Sequence, residues 1–186
     1  MENETQIDEG IKYMSNDSCW LRVLDAKTFN KLKEELGLEL ITEKQAVLEE
    51  ILEKTKSLKE PKVELENYVN VEELDVKEMI ELLKLSKKFN VKEVKIELSQ
   101  DNQLNLILPL NDFKKISEVI QTEVSNEHEA KTTTINPKYL LDYLQLCYKA
   151  GVENIKLELS TDMPIILTTN DTMQIKEYIA PIVKVE

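Results

Sequence analysis

Lysine side chains recur along one face of two segments of this sequence, at a spacing suited to binding anions. In the first segment Lys77, Lys84 and Lys88 stand at positions i, i+7 and i+11, which is one stripe of an α-helix. The second segment repeats the stripe with Lys138, Asp142, Gln145 and Lys149. Such stripes can contact phosphate groups without reading base sequence. They are also typical of a solvated helix face with i,i+4 charge pairs, such as Lys77 with Glu81.

Residues that commonly catalyse reactions do not cluster in the sequence. The one histidine, His128, lies in an acidic stretch without a serine or cysteine constellation around it. The three glycines form no phosphate-cradling loop, and the abundant carboxylates include no pair that stands out as acid and base. No cysteine or histidine spacing matches a metal site. The sequence therefore predicts a protein that is not an enzyme and that needs neither a cofactor nor a metal ion.

The charge balance is acidic, with 36 Asp and Glu residues against 24 Lys and Arg and a formal net charge of -12. This composition argues against ordinary nucleic-acid binding, but it leaves room for one local basic face. Cys19 and Cys147 stand far apart in apolar surroundings, which predicts free thiols in a reducing compartment. We expect neither a signal peptide nor a membrane span. The expected location is intracellular: cytoplasmic in a prokaryote, host-dependent for a virus, and nuclear in a eukaryote.

An internal repeat organises most of the chain. Placing Lys77–Asp101 over Lys138–Asp162, at an offset of 61 residues, gives ten identities in 25 positions. Within each copy an apolar stripe of helical period is followed by residues that alternate with period two. The sequence therefore predicts one helix and then an antiparallel meander, given twice, which places the protein in the α+β class.

Local signals set the bounds of these elements. Asp75 and Asn136 are predicted N-caps, with Pro137 at the first helical position of the second copy. Asn90 and Gly151 occupy matching positions after the helices, where a left-handed residue often ends a helix. Six strands are predicted at 94–98, Gln103–Leu110, Ile116–Val124, 155–159, Ile165–Thr169 and Met173–Ile182. A helix is an open alternative for Phe113–Ile120.

The first 60 residues do not follow the repeat. Tyr13–Leu24 predicts one or two short strands, a short helix runs from Asp25 to Gly37, and a longer helix begins at Thr42. Glu60–Pro61 is the predicted boundary, because the residue before proline is biased away from helix. The chain then divides into an N-terminal domain at 1–60 and a C-terminal domain at 61–186.

Two motifs resemble a known family. Ser160-Thr-Asp-Met-Pro-Ile-Ile-Leu followed by Tyr178-Ile-Ala-Pro-Ile resembles the end of the eukaryotic and archaeal DNA sliding clamp, proliferating cell nuclear antigen. Glu9-Gly-Ile-Lys-Tyr-Met-Ser-Asn-Asp-Ser is similar to a hairpin in the first domain of that family. The resemblance implies a DNA-clamp fold with a complete C-terminal domain, built from the two repeats, and an N-terminal domain of about half the family's size.

The resemblance also implies two sites. Clamp helices line a hole for DNA, which assigns the DNA-facing role to Lys77, Lys84, Lys88, Lys138 and Lys149. Clamps also bind short peptides of replication and repair proteins in an apolar groove. The residues carried over to that groove are Asn16, Trp20, Leu21, Val23, Pro164, Ile179, Ala180 and Pro181. An alternative for Trp20 is that it packs in the N-terminal core.

These implications lead to two functional hypotheses. The first is a sliding-clamp-like accessory protein of replication or repair that contacts or encircles duplex DNA without sequence specificity and docks partner proteins. The second is a regulatory protein that caps, opens or joins a full-length clamp ring. Family subunits join head to tail, and the strand at Gln103–Leu110 with the segment after it is the expected joining edge. The expected partners are duplex DNA, another clamp subunit or a second copy, and proteins with clamp-binding peptides, and no membrane is expected.

Overall fold

The computed structural model describes residues 10–15, 17–41, 57–124, 128–169 and 173–183. Its helices are α1 (Ala26–Leu36), α2 (Leu38–Ile41), α3 (Val76–Lys88) and α4 (Pro137–Lys149), and a single 3-10 turn spans Leu65–Asn67. The first six strands are β1 (Ile11–Met14), β2 (Trp20–Leu24), β3 (Val69–Asp75), β4 (Val94–Leu98), β5 (Gln103–Asn111) and β6 (Lys114–Gln121). The others are β7 (Glu123–Val124), β8 (Lys131–Ile135), β9 (Asn154–Leu159), β10 (Ile165–Thr169) and β11 (Ile175–Ile179).

These strands form two antiparallel sheets. The large sheet has the order β1-β2-β11-β10-β9-β3-β7, and the small sheet has the order β6-β5-β4-β8. One face of each sheet packs on the same apolar core as α3 and α4, represented by Leu106 of β5, Leu83 of α3 and Leu157 of β9. Because the core lies on one side of both sheets, the opposite sheet faces point outward.

The two long helices begin and end as their local signals predict. The Asp75 carboxylate accepts a hydrogen bond from the Glu78 N–H at 2.8 Å, and the Asn136 side chain accepts one from the Lys138 N–H at 3.0 Å. After the helices, Asn90 has φ 53° and Gly151 has φ 80°. These left-handed residues stop both helices at equivalent places, and α3 and α4 begin and end 61 residues apart.

The pairing of the first strand in each repeat is a feature that the sequence did not predict. β3 precedes α3 yet pairs with β9, and β8 precedes α4 yet pairs with β4. Each repeat thus lends one strand to the meander of the other, which interlocks them. The helical alternative for Phe113–Ile120 is wrong, because β6 pairs with β5 along this stretch. The last predicted strand is shorter than expected and covers Ile175–Ile179.

The N-terminal hairpin extends the large sheet. β2 pairs with β11 from Trp20 opposite Ile179 to Leu24 opposite Ile175. The apolar face of α1, including Phe29, joins the core shared with α3 and α4. The division into domains 1–60 and 61–186 stays a prediction, and the helix predicted from Thr42 lies outside the described residues.

Candidate functional site

The predicted lysine stripes lie on exposed faces of α3 and α4. Met79 and Leu83 bury the opposite side of α3, and Leu140 and Leu144 do the same in α4. The buried positions of α3 correspond to the buried positions of α4 in the repeat. The exposed positions of the two helices therefore correspond as well. All the lysines assigned to DNA are exposed, namely Lys77, Lys84, Lys88, Lys138 and Lys149. The two helices pack against each other, so their stripes belong to one surface.

Carboxylates on this surface modify its charge. Lys84 Nζ lies 2.8 Å from Glu81 Oε1, and this contact lowers the pKa of Glu81. Desolvation by surrounding protein atoms raises the pKa of Asp142, although its side chain still reaches solvent, and Lys138 and Lys87 act in the opposite direction. Lys87 is a basic residue of this surface that the stripe pattern missed. It stands in the last turn of α3, where a cation also favours the helix dipole.

The residues predicted for the peptide groove lie on two faces of the large sheet. Trp20 and Ile179, which oppose each other in register, both belong to the main core. The Trp20 ring packs 5.6 Å from the Tyr13 ring and is only 9% exposed. Leu21 and Val23 point to the outer face, because side chains alternate along a strand. Trp20 and Leu21 therefore do not line one groove.

A second apolar cluster covers part of this outer face. Leu21 of β2 opposes Tyr178 of β11, and Tyr178 opposes Ile166 of β10, so the three form a row across adjacent strands. Partly buried apolar residues surround the row: Met14, Val23, Leu58, Val63 and Tyr68. Sequence reasoning missed most of these residues, although the alternation of β11 places Tyr178 on the face opposite Ile179.

The chain's own residues 57–68, here called the covering segment, lie over this row. Leu58, Val63 and Tyr68 pack against it, and the Tyr68 hydroxyl donates to the Pro164 carbonyl at 2.8 Å. The Tyr178 hydroxyl donates to Glu60 Oε2 at 2.6 Å, and Lys176 Nζ lies 3.4 Å from the same oxygen. The covering segment is thus fastened at both ends.

Burial and these contacts shift the pKa of Glu60 in opposite directions. Burial alone would raise the pKa of Glu60, but the Tyr178 hydroxyl and the Lys176 ammonium lower it. Burial, and after it the hydrogen bond to Glu60, raises the pKa of Tyr178. Glu60 is therefore held as a carboxylate against the sheet. Next to it is a cavity of about 260 Å³, lined by residues that include Gly10, Val23 and Thr168.

The remaining predicted groove residues lie just beyond the strands at one end of the large sheet, Pro164 before β10 and Ala180 and Pro181 after β11. Ile165 of β10 opposes Ile179 of β11, so Pro164 and Ala180 follow at the same sheet end. Both are half-buried, as is Pro181, and the Ala180 N–H donates to the Cys19 carbonyl at 2.8 Å. Asn16 lies outside the described residues.

Two kinds of feature are absent from the residues that the structure describes. Nowhere in that part of the chain do three His, Cys, Asp or Glu side chains group closely enough to hold a metal ion. None of the helices described is both long and apolar enough to cross a membrane.

Solved structures with a similar fold include sliding clamps. PCNA from Thermococcus kodakaraensis aligns with a TM-score of 0.64 at 11% identity, over 92% of this chain and 85% of that one. Proliferating cellular nuclear antigen from Entamoeba histolytica gives a TM-score of 0.56 at 17% identity, over 69% of this chain and 51% of that one. The β chain of DNA polymerase III from Streptococcus pneumoniae gives 0.53 at 19% identity, over 68% and 35% of the two chains.

These similarities confirm the fold that the two motifs imply. The chain has the mixed helix and antiparallel-sheet architecture of the sliding clamps. It spans about half the length of the Entamoeba protein and about a third of the Streptococcus protein. No protein-family model matches the sequence, and no curated protein sequence matches it.

Proposed function

We propose that this chain is a clamp-like accessory protein of DNA replication or repair that contacts duplex DNA without sequence specificity. The carrying observation is the exposed lysine surface that equivalent positions of α3 and α4 form within a clamp fold. The proposed role consists of binding alone, so we propose no chemical step. The rest of the chain is acidic and repels DNA, which favours contact through this surface alone.

Charge on the lysine surface favours phosphate contact in spite of its carboxylates. Lys84 is paired with Glu81 and contributes less, whereas Lys77 and Lys88 lie at either end of the same stripe. Lysine is a flexible point charge that can follow phosphates at varying distances without reading bases. We therefore expect binding that is weak, sequence-independent and strongly dependent on salt.

The test of this proposal compares two sets of lysine substitutions. One variant carries Lys→Gln at the four stripe positions shared by both helices: Lys77, Lys88, Lys138 and Lys149. A matched variant carries Lys→Gln at four exposed lysines elsewhere: Lys27, Lys31, Lys62 and Lys92. Both lose four positive charges. Anisotropy of a labelled duplex is measured from low to moderate salt.

We expect the stripe variant to lose most of its binding, and the slope of log K against log salt to fall by about 3 to 4, since each phosphate contact contributes about 0.9. The matched variant should keep most of its affinity. Equal losses in both variants would mean that α3 and α4 are not the DNA surface. Wild-type protein that fails to bind at low salt would reject the proposal outright.

We also propose that partner peptides dock on the outer face of the large sheet. The site would comprise the Leu21 row, Val23, Pro164, Ala180 and Pro181, with the covering segment displaced or extended by the peptide. Trp20 supports this site from the core side. The apolar row rimmed by Glu60 and Lys176 suits a short peptide with large apolar side chains.

A labelled clamp-binding peptide from a replicative polymerase tests this site. Val23→Lys places a charge at the edge of the row and should weaken binding at least tenfold. Ile107→Lys is the matched control, because Ile107 is also half-buried and lies on the outer face of the small sheet. A peptide that binds both variants alike docks elsewhere.

One observation favours the second candidate function, in which the chain joins or caps a full-length clamp ring. The expected joining strand at Gln103–Leu110 is not an edge, because β5 pairs with β4 on one side and with β6 on the other. The segment after it, β6, is the edge. Light scattering of the chain mixed with a full-length clamp from the same source should reveal a mixed species, and an unchanged clamp mass would reject this candidate.

A further inference from the structure

The strand β6 leaves one side of its backbone unpaired. It is the outermost strand of the small sheet, and its eight residues from Lys114 to Gln121 pair with β5 only. No other strand among the described residues lies along its free side. A long edge of unpaired N–H and C=O groups is a template for adding another strand.

Exposed apolar side chains accompany this edge. Val119 is 47% exposed, and Phe113, in the turn before β6, is 95% exposed. Ile116 is half-buried on the core side, where it opposes Leu108 of β5. Phe113 is the most exposed large apolar side chain of the described residues. These side chains would be covered by a neighbouring strand of suitable pattern.

The charges along β6 limit which strand can fit. Lys114 and Glu118 point to the core side with Ile116, and all three alternate with Lys115 and Ser117 on the outer side. When a twofold axis perpendicular to the sheet relates two copies, the core-side faces of both small sheets point in the same direction. Opposed residues must then share a face, so the axis passes through a residue rather than between two.

One register satisfies charge and apolar pairing together. With the axis at Ile116, Lys114 opposes Glu118 of the second copy, and Phe113, in the turn just before the strand, comes close to its Val119. Both pairs occur twice because the pairing is symmetric. An axis at Lys115 or Glu118 would place like charges opposite each other, and an axis at Ser117 would place Glu118 opposite Ile116. Opposite charges across strands stabilise pairing and like charges weaken it.

We propose that two copies of this chain associate through β6, antiparallel and about a twofold axis at Ile116, to join their small sheets into one continuous sheet. This contact differs from the head-to-tail contact of clamp rings, in which different edges meet. Among the other strands that end a sheet, β1 favours that route less, because Ile11–Met14 carries Lys12 and no carboxylate to meet Lys114 and Lys115.

The symmetric contact places the helices of both copies on the same side of the joined sheet. In each copy α3 and α4 pack on the core side of the small sheet, and the axis keeps the two core sides together. The dimer would therefore present two lysine surfaces in one direction. The contact itself does not depend on DNA binding, since β6 lies outside the lysine surface.

A charge swap tests this contact. Sedimentation velocity of the full chain over a wide concentration range should show a monomer–dimer equilibrium. Lys114→Glu and Glu118→Lys each place like charges opposite each other twice, and each should raise the dissociation constant about tenfold or more. The double variant, Lys114→Glu with Glu118→Lys, restores opposite charges and should return the constant close to that of the wild type.

The control is Lys115→Glu, which makes the same charge change as Lys114→Glu on a residue that opposes Ser117. It should leave the dissociation constant within about threefold of the wild type. Far-ultraviolet circular dichroism confirms folding of each variant, and rescue in the double variant excludes a folding defect as the cause.

Three outcomes would overturn the proposal. A wild-type chain that stays monomeric at the highest concentration reached has no such contact. A dimer that neither single substitution weakens, or that the double variant does not restore, uses another surface. A trimer or an open-ended series of masses would indicate head-to-tail joining. Loss of DNA binding in the stripe variant, with the dimer intact, would leave this inference standing.

Discussion

Arg22 and Glu177 form a buried ion pair between β2 and β11, with Arg22 Nε 2.7 Å from Glu177 Oε2. The two residues are opposed in register, and their side chains are 4% and 1% exposed. Arg22 Nη1 also donates to the Ile41 carbonyl at 2.7 Å, and the guanidinium stacks 4.9 Å from the Trp20 ring centre. The chain's one arginine thus fastens the N-terminal hairpin and α2 to the second repeat.

Loss of the arginine should destabilise the chain strongly. Above pH 7, where Glu177 is ionised, Arg22→Met leaves its carboxylate buried without a partner, and we expect the free energy of unfolding to fall by about 3–5 kcal/mol. Urea unfolding measures this change. The control is the double variant with Glu177→Met, which removes both charges and should recover most of the loss. A single variant as stable as the wild type would contradict a buried pair.

Stability should fall as pH rises through the range in which Glu177 ionises. Burial raises the pKa of Glu177 to about 7, with Arg22 acting in the opposite direction. The folded state therefore holds a proton that the unfolded state releases near pH 4.5. The stability that the folded state gains from this proton is lost as pH rises from about 4.5 to 7. Thermal melts at several pH values measure it, and Glu177→Gln should flatten this part of the profile. An identical profile in the variant would contradict the shift.

The hairpin turn between β1 and β2 is held against the start of α4. Asp17 accepts hydrogen bonds from the hydroxyls of Ser15 and Tyr139, and they lower the pKa of Asp17 to about 2. Tyr139→Phe removes one donor and should raise this pKa toward 3.8, as NMR titration of the carboxyl would show. Tyr148→Phe, an exposed position on the same helix, is the control. The pairing stabilises the fold above pH 3.8, and its contribution is lost as pH falls through about 2.

The residues after the two helices should respond in opposite ways to substitution. Gly151 has φ 80°, so Gly151→Ala strains the backbone and should cost about 1 kcal/mol of stability. Asn90 has φ 53° at the equivalent position, where Asn90→Gly should be neutral or slightly stabilising. Chemical denaturation measures both. A stable Gly151→Ala variant would show that this residue is not held in the left-handed region.

The covering segment should open when the Glu60 contact at one of its ends is removed. Glu60→Ala loses the Tyr178 hydroxyl and the Lys176 ammonium as partners, so trypsin should cleave after Lys59 and Lys62 several-fold faster. Glu64→Ala is the matched control, because the Glu64 carboxylate hydrogen-bonds only the nearby Asn67 side chain within the described residues. Equal rates in the two variants would mean that Glu60 does not hold the segment.

Short-range signals in the sequence predicted much of the fold. The caps at Asp75 and Asn136 act within three residues, and the stops at Asn90 and Gly151 act within one turn. The apolar stripes then predicted which faces of α3 and α4 are exposed. The lysine surface could be predicted from the sequence for the same reason, since helical geometry alone places residues of that spacing on one side of a helix.

Partner choice between strands required the tertiary structure. Alternation along β2 separates Trp20 from Leu21, but only the pairing of β2 with β11 and the packing of Trp20 on the core decide which face is inner. Strand pairing likewise decides the exchange of β3 and β8 between the repeats and the position of β6 at the edge of its sheet. Strand hydrogen bonds join residues far apart in the chain, so local sequence carries little information about them.

The sequence by itself therefore determined α1, α3 and α4, their ends and the exposed lysine stripes, because each follows from contacts within a few residues. Only the tertiary structure decided which residues form the outer apolar row and that one side of the Lys114–Gln121 strand is unpaired. The buried partner of Arg22 belongs to the same class, since 155 residues separate it from Glu177 in the chain. Burial and pairing at such distances depend on the whole fold.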